Sequence, residues 1–238
     1  MKVSKKALRF LPVILLFEIL TQVLTITFVG FSAGIAESFG TTAATVTILT
    51  LSIALLAVWI TGSAFVYGIM ELSRQFRYSW YLHIAYFVIK VVALVFDSIS
   101  AIMGGDVTTG NEGIFGTVEE ILSITRQFVG MAALCLAMLG FKAVMDKLGK
   151  SEISASCRKY SYFFLIIGIM SALNDSTSLI MTLFADNSDG SLNMIYTAIL
   201  AIYFIINVLI ATISIPAFLT VRKACRTVFD KLQSAQEA

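Results

Sequence analysis

Apolar residues come in six long runs, at about 10–35, 42–70, 80–103, 117–141, 160–185 and 192–221. Most of the charge falls outside them, in the short segments between the runs and in the two termini. Each run has the roughly 20 residues a helix needs to cross about 30 Å of hydrocarbon at 1.5 Å per residue. The second and sixth are the clearest, since no charge falls between Glu37 and Glu71 or between Asp189 and Arg222. Both exceed the bilayer thickness and are expected to tilt or to continue as helix beyond it. The pattern predicts an all-α integral membrane protein: six transmembrane helices in a single membrane domain over 1–238.

A second periodicity is superimposed on the first. Asp97-Ser-Ile-Ser-Ala-Ile-Met103 returns as Asp175-Ser-Thr-Ser-Leu-Ile-Met181. The even runs end alike, at Ala64-Phe65, Gly140-Phe141 and Ala217-Phe218. Three α-hairpin repeats of about 78 residues would account for this. Six evenly spaced apolar helices with chance matches account for it nearly as well.

Within the runs, polar and small residues fall into seams at alternating three- and four-residue spacing. The third run carries His83, Tyr86, Lys90, Ala93, Asp97, Ser100 and Gly104. His83, Lys90 and Asp97 are seven apart, so they drift only about 20° per step around a helix. The fourth run carries Glu119, Ser123, Arg126, Gly130, Ala133, Ala137 and Gly140, and the fifth Ser161, Phe164, Gly168, Ser171, Asp175, Ser178 and Thr182. The second carries Thr47, Thr50, Ala54, Ala57, Thr61, Ala64 and Gly68. Small residues let helices approach closely in lipid, and hydroxyls bond across the interface. All four seams are therefore expected to face other helices. A charge at the bilayer centre costs roughly 2.5–3.5 kcal/mol on insertion scales, which argues most strongly for the third seam.

Composition agrees with the pattern. The 238 residues are 58% hydrophobic and 13% charged, and the mean hydropathy is +0.89. A soluble domain is nearer half apolar and a quarter charged. The net charge of +2 says less than its distribution. Apart from Lys90 and Arg126, every Lys and Arg lies in the N-terminus, at Arg74 and Arg77, between Lys142 and Lys159, or from Arg222 to Lys231. The intervening loops hold only acids, at Glu37, at Asp106 to Glu120, and at Asp186 and Asp189. Positive-inside bias then puts both termini in the cytoplasm, with the protein in the cell membrane. The N-terminus resembles a signal peptide in its four basic residues, but Glu18 and Gln22 interrupt the apolar run, and it reads as a retained first helix.

Candidate chemistry is confined to the bilayer. Glu18, Lys90, Asp97, Arg126 and Asp175 are ionisable residues within predicted spans, with His83 near the cytoplasmic end and Asn207 in the middle of the sixth run. Pairing by depth predicts two polar layers, Glu18 with Lys90 and Arg126 with Asp97 or Asp175. Ser100 and Ser178 lie on the same faces as the two aspartates. The functional expectation is a transporter or channel subunit in which these nine residues line a path for a small solute or ion. The alternative is a membrane scaffold or accessory subunit whose charged seams bind partner helices. No nucleophile elbow, phosphate-binding glycine loop or paired metal-binding histidines occur, so neither an enzyme, a cofactor nor a metal is expected. The three cysteines, Cys135, Cys157 and Cys225, form no ligand or disulfide pattern. Expected partners are the bilayer, the solute, and a second copy or another membrane protein; nothing suggests nucleic acid.

Overall fold

The structure, a computed structural model, describes residues 3–21, 41–102, 114–184 and 190–237. Among the described residues every regular element is a helix. In chain order these are α1, helical over residues 5–21, α2 (Thr41–Tyr67), α3 (Arg74–Ile102), α4 (Ile114–Lys147), α5 (Ser151–Phe184) and α6 (Gly190–Glu237). Four of them contain segments long and apolar enough to cross a membrane: Leu49–Tyr67, Arg74–Phe96, Ile121–Lys147 and Phe204–Ala235.

The helices outrun the apolar stretches that announce them. α3 begins at Arg74 rather than near 80, α5 at Ser151 rather than 160, and α6 continues to Glu237 rather than stopping near 221. Hydropathy marks the thickness of the bilayer, whereas helix length is set by caps and breakers. Ser4 Oγ accepts from Ala7 N at 3.2 Å, and Ser73 Oγ from Phe76 N at 3.4 Å, the side-chain capping that opens a helix. α4 stops at Gly149, whose φ of 68° suits glycine. There Lys150 N donates to Met145 O at 2.9 Å, closing a Schellman-type end. The basic segment between Lys142 and Lys159, read from the sequence as a loop, is thus two helix ends joined by residues 148–150.

α4 is the central helix. It packs on both α3 and α5, with α2 against α3, α5 against α6, and a lighter contact to α6. Its apolar segment is 61% buried, against 28–39% for the other three. The core runs from Leu8, Leu11 and Leu15 of α1 through Met131, Leu134 and Met138 of α4 to Ile206 and Ile210 of α6. Glycine allows two close crossings. A Cβ on Gly140 would lie 2.7 Å from the Phe76 ring, and one on Gly168 2.7 Å from Met131 Cβ. Large apolar side chains also cover the outside, among them Phe204, Leu173 and Ile215, as lipid contact requires.

The seams on α3 and α5 face inward where their side chains are described: His83, Tyr86, Lys90 and Ala93; Ser161, Phe164, Gly168, Ser171 and Asp175. The α4 seam does so at Gly130, Ala133, Ala137 and Gly140, whereas Ser123 and Arg126 are only half-buried. The α2 seam does not. Thr47, Thr50, Ala54, Ala57, Thr61 and Ala64 are exposed, and the buried face is instead Ser52, Leu55, Trp59, Gly62, Ser63 and Val66. Thr50 and Thr61 donate to the carbonyls four residues back, at 2.8 Å each. A threonine satisfied by its own helix needs no neighbour and is tolerated on the outer surface. Hydroxyl content alone was therefore a poor guide to that face.

Candidate functional site

The strongest concentration of buried polar chemistry lies where α1, α2 and α3 meet, with α4 behind. Glu18 of α1 and His83 of α3 are both fully buried. His83 Nε2 is 3.3 Å from Glu18 Oε2 and 3.2 Å from Oε1. The other ring nitrogen, Nδ1, lies 2.8 Å from the Ser79 carbonyl oxygen. A carbonyl can only accept, so this contact fixes a hydrogen on Nδ1. The bond to Glu18 then holds one further proton. That proton sits either on Nε2, as imidazolium with carboxylate, or on the carboxyl group, with neutral imidazole accepting.

The surroundings hold the pair in register. Ser79 Oγ donates across to Ala133 O on α4 at 2.8 Å. Trp59 of α2 stacks on Tyr86 with ring centroids 3.8 Å apart and planes 17° from parallel, and its ring lies 5.2 Å from that of His83. Trp59 Nε1 donates to Thr21 Oγ1 at 3.0 Å, and Thr21 donates in turn to Glu18 O at 2.7 Å. Gly62 makes room for the carboxylate, since a Cβ there would fall 1.6 Å from Glu18 Oε1. Trp59 and Tyr86 close the site with almost no exposed surface.

No family model, curated protein or solved structure matches this chain. The chemistry of the site must be argued from its own residues.

The structure redistributes the nine residues singled out in the sequence. Glu18 bonds to His83, which lies about two turns before its expected partner Lys90 on α3. Lys90 is buried and donates to Ser52 Oγ of α2 at 3.4 Å. Arg126 is half-buried and donates to Ser123 Oγ at 3.3 Å. Among the described side chains, Arg126 forms no ion pair with Asp175. Its other expected partner, Asp97, has a side chain outside the described residues, as do Ser100 and Ser178. Asp175 is buried on α5, beside Asn174 and one turn beyond Ser171, which donates to Gln127 Oε1 of α4. Asn207 is half-buried, and its Oδ1 accepts no hydrogen bond among the described residues. Glu18, His83 and Lys90 therefore belong to one neighbourhood of α1–α3, while Arg126 and Asp175 belong to the α4–α5 pair.

Four contributors escaped the sequence reading: Thr21, Trp59, Gly62 and Ser79. A tryptophan inside an apolar helix carries a donor that must find an acceptor, and that was the available signal for Trp59. Gly62 and Ser79 had none, because their roles depend on which helix stands opposite. Among the described residues no three His, Cys, Asp or Glu side chains converge as a metal site.

Proposed function

We propose that this chain is a multi-pass transporter or channel subunit that moves a small solute or ion, and that Glu18 and His83 are the proton-holding group of its path. The observation that carries this reading is the fully buried, mutually bonded pair on two separate helices. Fixing helix register needs only a neutral hydrogen bond. Removing two titratable groups from water costs several kcal/mol each before they attract one another. Intramembrane acids and histidines paired in this way are characteristic of proton relays. Six spans with both termini cytoplasmic, and three α-hairpins in tandem, complete the proposal; the basic ends and acidic alternate loops support that topology. In the closed arrangement Trp59 and Tyr86 seal the pair, so proton exchange requires these helices to part.

The test is uptake by the full chain in liposomes carrying an internal pH reporter. Glu18→Gln keeps a hydrogen-bonding side chain but cannot carry the proton, and it is expected to abolish coupled flux while the helices stay folded. Asp97→Asn is expected to do the same if the path continues along the α3 face. Unchanged flux in both variants would overturn the reading.

One observation favours a second reading, a scaffold or accessory subunit. The pair is fully buried against aromatic rings, and two cavities among the described residues lie elsewhere. One is an apolar crevice between Leu15, Leu134, Phe164 and Ala217, and the other a cleft at the α4–α5 turn. In that case the wild-type chain shows no flux, and Glu18→Gln releases a partner membrane protein instead.

A further inference from the structure

The α4–α5 turn holds a second place where polar side chains converge. A cleft of about 400 Å³ opens there, lined among others by Lys142, Asp146, Ser154, Arg158, Lys159 and Tyr162. Its single acid is already engaged. Asp146 accepts from Lys142 Nζ at 2.5 Å and from Ser154 Oγ. Arg158 and Lys159 are exposed and, among the described residues, make no ion pair. The Arg158 guanidinium lies 5.7 Å from the Tyr162 ring centre and the Lys159 ammonium 5.9 Å from that of Phe163. The rings hold both cations near the cleft rather than leaving them free to sweep through solvent.

Depth identifies what could neutralise them. The apolar runs of α4 and α5 end at Phe141 and resume at Tyr160, so Lys142, Arg158 and Lys159 flank their edges. The turn at residues 148–150 lies roughly 9–12 Å further along the helices, and a headgroup layer is about 5–8 Å thick on each side of the hydrocarbon. A bilayer centred on those runs would set the floor of the cleft level with lipid phosphates and the tip of the hairpin in water. Tyr162 and Phe163 face outward beneath it, where an interfacial aromatic belt is expected. Positive-inside bias accounts for basic residues near this turn. It does not account for two unneutralised cations braced on aromatic rings around a cleft whose one acid is occupied.

We propose that this cleft binds the headgroup of an anionic phospholipid, with the lipid phosphate between Arg158 and Lys159. The site is separate from Glu18 and His83 and stands whether or not the chain transports anything. The experiment is native mass spectrometry of the detergent-purified full chain mixed with equal amounts of phosphatidylglycerol and phosphatidylcholine. The wild-type chain is expected to retain phosphatidylglycerol preferentially. Arg158→Gln with Lys159→Gln is expected to lower that retention about tenfold or more, as two charges near an anionic surface imply. Ala155→Glu, which puts an acid into the same cleft at an exposed position, is expected to lower it too. This second variant keeps the test decisive if the double substitution harms folding. Arg222→Gln with Lys223→Gln removes the same charge from exposed positions on α6 and is expected to leave retention unchanged. Equal retention of the two lipids by the wild-type chain would overturn the proposal, as would equal losses in the cleft and tail variants. Displacement of the lipid by excess inorganic phosphate would overturn the lipid assignment in favour of a free-anion site.

Discussion

Replacing Gly62 with alanine puts the candidate site under direct test. The added Cβ would lie 1.6 Å from Glu18 Oε1, 2.6 Å from its Cδ and 3.3 Å from Ile14 Cγ2. An ordinary carbon–oxygen contact is no closer than about 3.3 Å, so the carboxylate must retreat by roughly 1.7 Å. Its bonds to His83, now 3.2–3.3 Å, would then exceed hydrogen-bonding range. Overpacking by one methyl typically costs about 1–3 kcal/mol, whereas separating a buried pair costs about 3–5 kcal/mol. Gly62→Ala is therefore expected to destabilise the fold by at least about 3 kcal/mol, read as thermal or denaturant unfolding in detergent. In a Glu18→Ala background the two closest clashes are gone, and the next is the tip of half-buried Ile14 at 3.3 Å. The same substitution should then cost less than about 1 kcal/mol, because a flexible side-chain end can yield. Equal costs in the two backgrounds would refute the idea that Gly62 exists to seat the carboxylate.

Further outcomes follow from other contacts. Trp59→Phe keeps the stack on Tyr86 but removes the donor to Thr21, and should cost about 1–2 kcal/mol of stability, measured by the same unfolding assay. Gly168→Ala drives a methyl against Met131 Cβ, an atom next to the backbone that cannot swing aside; loss of helix packing by hydrogen exchange along α4 and α5 is the expected readout. The Cys157 thiol is pushed up to about 12, first by burial and then by the Asp146 charge. It should resist maleimide at neutral pH until the chain is denatured, and rapid native labelling would contradict the packing of α5. For topology, cysteines introduced near Gly110 and Ser188 should react with an impermeant reagent outside intact cells, and one at Ser151 should not.

The helical class and the inward face of α3 from His83 to Ala93 were legible because both rest on strong, local physics. Long apolar runs have few alternatives to a membrane helix, and ionisable groups such as His83 and Lys90 on one line have few places to point. The partners were not legible. Lys90 was the expected mate for Glu18 by depth, yet His83 and Lys90 share one face of α3 and differ by roughly 10 Å along its axis, so the choice between them depends on how far α1 is shifted along α3. That register is set in part by Gly62, which seats the carboxylate and whose lack of a side chain leaves no trace in hydropathy. The α2 face was misread for a related reason. Threonine can satisfy its hydroxyl within its own helix, so Thr50 and Thr61 looked like interface residues while Trp59, on the other side, anchored the real one. Helix ends at Lys147 and Ser151 were hidden because charge was taken as loop, although a Gly149 end cap was present in the sequence.

The separation of bonded partners along the chain has a consequence for how the protein enters its membrane. Gln127 and Ser171 meet within one hairpin closed by a short turn. They can satisfy each other as soon as α4 and α5 are made, before anything else arrives. Glu18 is different: its partner lies 65 residues downstream, with all of α2 between them. While α2 is being synthesised, a lone carboxyl group on α1 would face hydrocarbon, where an unsatisfied polar group costs several kcal/mol. The first helix is therefore expected to linger in a polar, protected environment, at the insertion machinery or the membrane surface. It joins the bundle only when α3 delivers His83, which makes the buried pair a checkpoint on the order of assembly.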